Sequence, residues 1–252
     1  MGENQAKTIH TIKDLMQYSI VIPAFNEAEN IATLLFEIKQ VMEPLGKDWE
    51  VLVIDDASTD RTWEVLEETK EKIPQLRAIR HAQRSGQSSA FETGFHNVRG
   101  ECTITLDGDG QNDPHDIPKL LEKLTPNIGC VSGIRHNRQD TRRKKMISRC
   151  ANNIRRFFLH DNTSDTGCSL KIFRTEALKN IKMYKGLHRF LPALIIIEGY
   201  EVDEVPVNHR SRKHGTSKYS IVNRGVSTLT DLFAVWWMRR RRVLTSTEKK
   251  LP

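Results

Sequence analysis

The 252 residues are 38% hydrophobic and 28% charged, and Lys plus Arg exceed Asp plus Glu by 7. Such a length supports one large domain with a full core, and the composition excludes collagen-like, low-complexity and wholly disordered chains. The opening MGENQAKTIHTIKDLMQ has no apolar signal region, and Cys102, Cys130, Cys150 and Cys168 form no C-x-x-C pair, so the expectation is reduced structural thiols in a cytoplasmic setting.

In chain order, YSIVIPAF (18–25) reads as a strand. NEAENIATLLFEIKQVME (26–43) follows as a helix, with Asn26 as N-cap and Ile31, Leu34, Leu35, Ile38 and Val41 on one face. WEVLVIDD (49–56) is apolar almost throughout, as in a parallel sheet covered on both faces, and ASTDRTWEVLEETKEKI (57–73) starts another helix at Ser58–Asp60. A strand over 76–81, a helix over 86–98, a strand over 102–107, a helix over 113–124 and a strand over 129–135 continue the alternation. The pattern predicts an α/β fold, a mostly parallel central sheet flanked by helices, with ligands at the carboxyl ends of the strands.

Beyond Arg135 the regularity breaks. The sequence predicts a basic helix over 139–160, a short strand and helix start over 167–178, and a helix, turn and strand over 188–207. A last helix starts at Asn223, with an apolar run, LFAVWWM, too short to span a bilayer. Residues 1–17 are taken as an extension, 18–222 as the catalytic domain, 223–244 as a membrane-interface helix and 245–252 as a disordered tail.

Charge is divided between the halves. Residues 1–130 hold 13 Lys and Arg against 22 Asp and Glu, a balance of −9, whereas residues 131–252 hold 26 against 10, a balance of +16. A basic half suits nucleic acid, an anionic membrane or phosphorylated small molecules. No zinc finger or aromatic RNA-binding strand is present, and acidic strand ends would repel a phosphate backbone, so nucleic acid is the remote alternative.

Those acidic ends are the informative feature. Asp55-Asp56 closes the second strand, and TLDGDGQNDP (105–114) packs Asp107, Asp109 and Asp113 behind another. Carboxylates at this spacing repel unless a cation lies among them. An EF-hand fails, because Asn112 and Pro118 stand where Gly and Glu are needed. A dinucleotide fingerprint fails as well, since PAFNE follows the first strand in place of G-x-G-x-x-G.

Five segments in order resemble the GT-A inverting glycosyltransferases of family 2, and within them the polyprenyl-phosphate (dolichol-phosphate mannosyltransferase-like) sugar transferases. They are VIPAFNEAENI, VIDDASTDRT, LDGDGQNDP, SGIR and RKHGTSKY, spread over residues 20–220. The resemblance implies a GT-A nucleotide-diphospho-sugar transferase fold and a Mg²⁺ or Mn²⁺ held by Asp109 and Gln111. It implies a nucleotide-sugar pocket from Pro23, Phe25, Glu27, Val53, Asp55, Asp107 and Gly108. Arg135, Arg212 and Lys218 would clamp the diphosphate, with Asp107, Asp109, Arg212 and Lys218 as the catalytic set. Phe25 and Gly108 depart from the family's usual Tyr and Ala.

A hydroxyl acceptor needs a general base, for which Asp165 is the candidate, with a turn hydrogen bond as its other reading. A lipid monophosphate is already ionised and needs cations instead, which Arg149 with Asn153 would supply from RRKKMISRCANNIRR. Trp236 and Trp237 before four arginines suit an anionic membrane surface. The expected activity is hexose transfer, mannose first, from a GDP- or UDP-sugar to a polyprenyl phosphate by a peripheral enzyme at the cytoplasmic face. Transfer to a saccharide hydroxyl is the alternative.

Overall fold

The apolar runs pair as strands of a seven-stranded sheet with order β3-β2-β1-β4-β6-β5-β7. These are β1 (Tyr18–Ala24), β2 (Trp49–Asp55), β3 (Leu76–Arg80), β4 (Cys102–Thr105), β5 (Ile128–Arg135), β6 (Lys171–Arg174) and β7 (Glu201–Val207). The computed structural model describes residues 18–135, 153–159, 161, 163–211 and 221–242, with side chains of the last helix from residue 228. Every neighbouring pair is parallel except those of β6, which runs antiparallel to both β4 and β5.

The helices are α1 (Ile31–Met42), α2 (Thr62–Lys70), α3 (Gln87–Asn97), α4 (Ile117–Leu121), α5 (153–159), α6 (Thr175–Leu178), α7 (Leu191–Ile197) and α8 (Ile221–Arg241). Alternation along β1 divides the core between the two faces of the sheet. Ile20 and Ile22 pack with the Ile31, Leu34, Leu35 and Ile38 face of α1. Val21 points the other way, into a cluster with Phe91, Phe173, Leu194 and Val235 from α3, β6, α7 and α8. Each such side chain contributes about 1.5–3 kcal/mol on burial. Close approach matters at Gly94, where a Cβ would lie 2.3 Å from Val21 Cγ1, so α3 rides directly on β1.

Three expectations are corrected. The first helix starts at Ile31, not at Asn26, and Asn26 is not its cap. Asn26 has φ 53° and uses its side-chain oxygen to accept the Thr59 N–H at 2.8 Å. Its own N–H donates to Ser58 Oγ (2.9 Å) and the Glu27 N–H to Thr62 Oγ1 (2.9 Å), so the loops after β1 and β2 are laced together and the helix begins only beyond them. The second helix likewise starts late, at Thr62, whose N–H is taken by Asp60 Oδ1 at 3.0 Å. The helix expected over 113–124 is a 3-10 turn, Pro114–Asp116, opened by Asp113, followed by the short α4. Residues 1–17, 139–152 of the basic stretch, and the tail lie outside the described residues.

Candidate active site

The parallel strands β1, β2 and β4 end at one edge of the sheet, and their loops carry the polar residues. Asn26 and Ala57, the two non-glycine residues with positive φ among those described, stand directly after β1 and β2, at 53° and 58°. An alanine in this region costs about 1–2 kcal/mol, and strain of this kind collects at functional sites. Phe25 faces the edge with the Arg84 guanidinium 4.0 Å from its ring centroid. Pro23 and Glu27 are partly exposed beside it, and Glu27 Oε2 accepts from Asn30 Nδ2 at 2.9 Å.

The Asp55-Asp56 doublet is largely committed to local structure. Asp55 is fully buried, accepts the Ser58 N–H at 2.9 Å and faces Arg80 Nε at 3.2 Å. Asp56 accepts the N–H groups of Ser85 (2.8 Å) and Gly86 (2.7 Å), and so caps α3 from a neighbouring strand. His81 donates to or shares a proton with the same carboxylate at 2.8 Å and reaches Thr93 Oγ1 at 2.9 Å. Val53 is fully buried in the core.

The loop after β4 carries the second acidic group. Asp107 Oδ1 accepts from Gln87 Nε2 at 2.7 Å, which binds the loop to the first turn of α3. Asp109 is 8% exposed and accepts the Gln111 N–H at 3.1 Å. Gly108 lies against β1, where a Cβ would sit 3.3 Å from the Pro23 carbonyl oxygen. Asn112 pairs with His209 in an antiparallel bridge, and the Arg210 N–H donates to the Gln111 carbonyl at 2.8 Å. The late basic segment therefore begins alongside the acidic loop.

Arg135, at the end of β5, is held by Asp165 through Nε–Oδ2 (2.7 Å) and Nη2–Oδ1 (2.8 Å). The Asp165 carboxylate also accepts the N–H groups of Arg135 (3.2 Å) and Gly167 (3.1 Å). Of the two readings of Asp165, the turn hydrogen bond is present, to the Gly167 N–H, and the same carboxylate also holds Arg135. Gly167 leaves room for this, since a Cβ there would lie 2.5 Å from Arg135 Nη2.

Lys171 was missed in the sequence. It stands on β6 opposite Thr105, is 3% exposed and donates to the Cys168 carbonyl. Burial first, and then the Asp109 charge, push the Asp107 carboxyl up to about 6, while the Ser169 hydroxyl and the Lys171 and Arg135 charges pull against them. A lysine inside the apolar strand SLKIF was the available signal, because a buried ammonium needs acidic company.

Asn153 opens α5 and is exposed. Arg149, Arg212 and Lys218 lie outside the described residues. Among the described residues no three His, Cys, Asp or Glu side chains gather as a metal cluster. Asp107, Asp109 and Gln111 still fit Mg²⁺ or Mn²⁺. Such ions take oxygen ligands and are commonly held by one or two carboxylates with substrate phosphates completing the shell. The Asp107 carboxyl, raised first by burial and then by the Asp109 charge, is one whose ionised form a bound cation would favour.

The sequence model of glycosyl transferase family 2 matches residues 19–182. The dodecaprenyl-phosphate galacturonate synthase of Rhizobium johnstonii is 33% identical over 233 residues, covering 89% of this chain and 68% of that protein. An undecaprenyl-phosphate 4-deoxy-4-formamido-L-arabinose transferase of Edwardsiella ictaluri is 34% identical over 211 residues, covering 83% and 65%. The chain thus spans about two thirds of the length of these relatives. Among solved structures, a Pyrobaculum calidifontis mannosyltransferase in complex with GDP-mannose and Mn²⁺ superposes with TM-score 0.66 at 22% identity, covering 87% of this chain and 63% of that one. A Mycobacterium tuberculosis glucosyl-3-phosphoglycerate synthase with Mn²⁺, UDP and glucosyl-3-phosphoglycerate gives 0.66 at 18% identity, covering 89% and 80%. At such identities the structural likeness shows the fold, a GT-A α/β sheet.

Proposed function

The chain belongs to glycosyl transferase family 2, and from that premise we propose that it moves a sugar from a nucleotide diphosphate donor to the phosphate of a polyprenyl lipid. The observation that carries this reading is the bidentate Arg135–Asp165 pair beside the Asp107–Gln111 loop. A transferase acting on a hydroxyl needs a free carboxylate base near the acceptor, and Asp165 is instead saturated with four hydrogen bonds. An ionised phosphate needs no base. It needs fixed cations, and the Arg135 and Lys171 charges both act on Asp107 of the acidic loop.

In this reading Phe25, Pro23, Glu27 and Asp55 form the nucleoside end of the site, and Gly108 allows close approach of the loop to β1. Asp107, Asp109 and Gln111 would hold Mg²⁺ or Mn²⁺, which supplies charge neutralisation to the departing diphosphate. The acceptor phosphate oxygen forms a bond to the anomeric carbon as the bond to the nucleoside diphosphate breaks, with inversion. Arg135, kept in place by Asp165, together with Arg212 and Lys218, binds the anionic groups; Arg149 and Asn153 are assigned to the acceptor phosphate.

The named relatives act on a uronate and a formamido-pentose. Mannose, the first choice from sequence, is therefore one member of a donor panel and not a conclusion. Thermal-shift screening with GDP- and UDP-sugars, with and without Mn²⁺, identifies the donor. With that donor, wild-type protein should glycosylate a short polyprenyl phosphate and leave a saccharide acceptor untouched, and Asp109→Ala should lose about a hundredfold or more in kcat. Transfer to the saccharide alone, or full activity of Asp109→Ala at low divalent cation, overturns the reading.

A further inference from the structure

Eight large hydrophobic side chains are exposed among the described residues, and six of them sit on α5 and α8. On α5, Ile154, Phe157 and Phe158 follow the i, i+3, i+4 spacing that places them on one face, with Phe157 74% exposed. On α8, Leu229, Phe233 and Trp237 recur every four residues, with Phe233 61% and Trp237 54% exposed. The inward side of the same helix already buries Leu232 and Val235 in the core, so α8 is apolar towards the sheet and towards solvent.

The two stripes join. Phe158 meets Trp236 edge-on with ring centroids 6.4 Å apart, Phe233 lies 5.2 Å from Trp236, and Phe157 lies 5.5 Å from Phe158. Arg240 stacks on Trp236 at 4.9 Å, and Arg239, Arg240 and Arg241 fill the last turn, with Arg242 after it. A contiguous aromatic surface results, rimmed by the exposed Arg240 and Arg241, whereas Arg242 lies 3.8 Å from Glu198 Oε2 and Arg239 Nη1 is buried. No helix among the described residues is long and apolar enough to cross a membrane. α5 also leads straight into the segment whose Asp165 holds Arg135, so this surface adjoins the site along the chain.

We infer that α5 and α8 together form one docking face for the anionic leaflet of a lipid bilayer. Phe157, Phe233 and Trp237 enter the boundary between headgroups and acyl chains, and the arginines meet lipid phosphates. Charge complementarity selects this occupant over a second copy of the chain. In a two-fold pairing a second copy brings the same arginine-rimmed face, and so no anionic partner for Arg240 and Arg241. The inference deepens the proposed function, because it states where the phosphorylated lipid is met, and it rests on that reading only for the identity of the acceptor.

The test is co-sedimentation with vesicles of phosphatidylcholine, with or without phosphatidylglycerol. Wild-type protein should sediment with the anionic vesicles, less so at high salt, and leave the neutral ones. Phe157→Ser with Phe233→Ser should weaken this by about tenfold or more, and Arg240→Gln with Arg241→Gln by about tenfold, with donor-induced thermal stabilisation unchanged in both. Equal sedimentation of wild type and variants, no preference for anionic vesicles, or a wild-type dimer that the Phe double variant splits would each overturn the inference. A wild type that sediments but is stabilised by no nucleotide sugar supports the docking face and removes the transferase reading.

Discussion

Two buried arginine–aspartate pairs flank the same short segment, 161–165, and they are built differently. Arg135–Asp165 is bidentate, and backbone N–H groups complete the carboxylate. Burial works against the Arg135 charge, yet its hydrogen bonds to Asp165 outweigh it and its pKa ends above the usual value. Arg155–Asp161 is more deeply buried, closes only to 3.5 Å, and leaves Arg155 Nε and Nη1 and both Asp161 oxygens without a hydrogen-bond partner among the described residues. There burial prevails and lowers the Arg155 pKa. The same two residue types thus give a positioning device where hydrogen bonds are complete and a desolvation cost where they are not.

The largest expected effect comes from breaking the complete pair. Asp165→Ala should cost about 3 kcal/mol in denaturant unfolding, because it strands a buried guanidinium, and lower kcat/KM about a hundredfold. Asp165→Asn, which keeps the shape, should recover much of the stability but not the rate. Gly167→Ala attacks the same pair sterically, since its Cβ must displace Arg135 Nη2; a loss of about 2 kcal/mol is expected from thermal melts.

Like charges extend the comparison. Asp107 is raised to about 6 from 3.8, so the metal-free protein binds a proton there more tightly than the unfolded chain does. Between those pH values this group's contribution to stability therefore falls as pH rises. Mn²⁺ competes with that proton, so its affinity, followed by calorimetry, should drop about tenfold per pH unit below about 6 and level off above it. The smallest effect belongs to the incomplete pair. Arg155→Met with Asp161→Leu should leave stability unchanged or raise it by about 1 kcal/mol. A loss above about 2 kcal/mol would show that this pair is as well compensated as the other.

Much of the frame was legible before any coordinates. Apolar runs with period 2 or 3.6 placed β1 to β5 and α1 to α3 within a few residues, because both faces of the sheet are covered and the pattern is strong. Helix starts were less legible. Asn26 has the chemistry of a cap, but Ser58 and Thr59, more than thirty residues later, claim it. Asp56 looked like half of a cation site and is instead spent on Ser85, Gly86 and His81, contacts that depend on tertiary packing. The Asp107–Gln111 loop could be singled out from charge and spacing and Arg135 from the resemblance, whereas Lys171 offered only a lysine in an apolar strand, and its partner Asp107 was hidden because only the sheet order brings β6 beside β4. The direction of β6 was equally hidden: four residues of KIFR read the same in a parallel or an antiparallel strand.

That strand has a consequence for how the molecule is made. β4 and β5 do not touch; β6 separates them and arrives about forty residues after β5 has been synthesised. Until then both strands present open edges, and pairings of such long sequence separation form slowly. Because the late strand also brings Lys171, joining β4 to β5 and placing Lys171 near Asp107 are one event. A nascent chain halted before residue 171 would hold neither a joined sheet nor Lys171 beside the acidic loop.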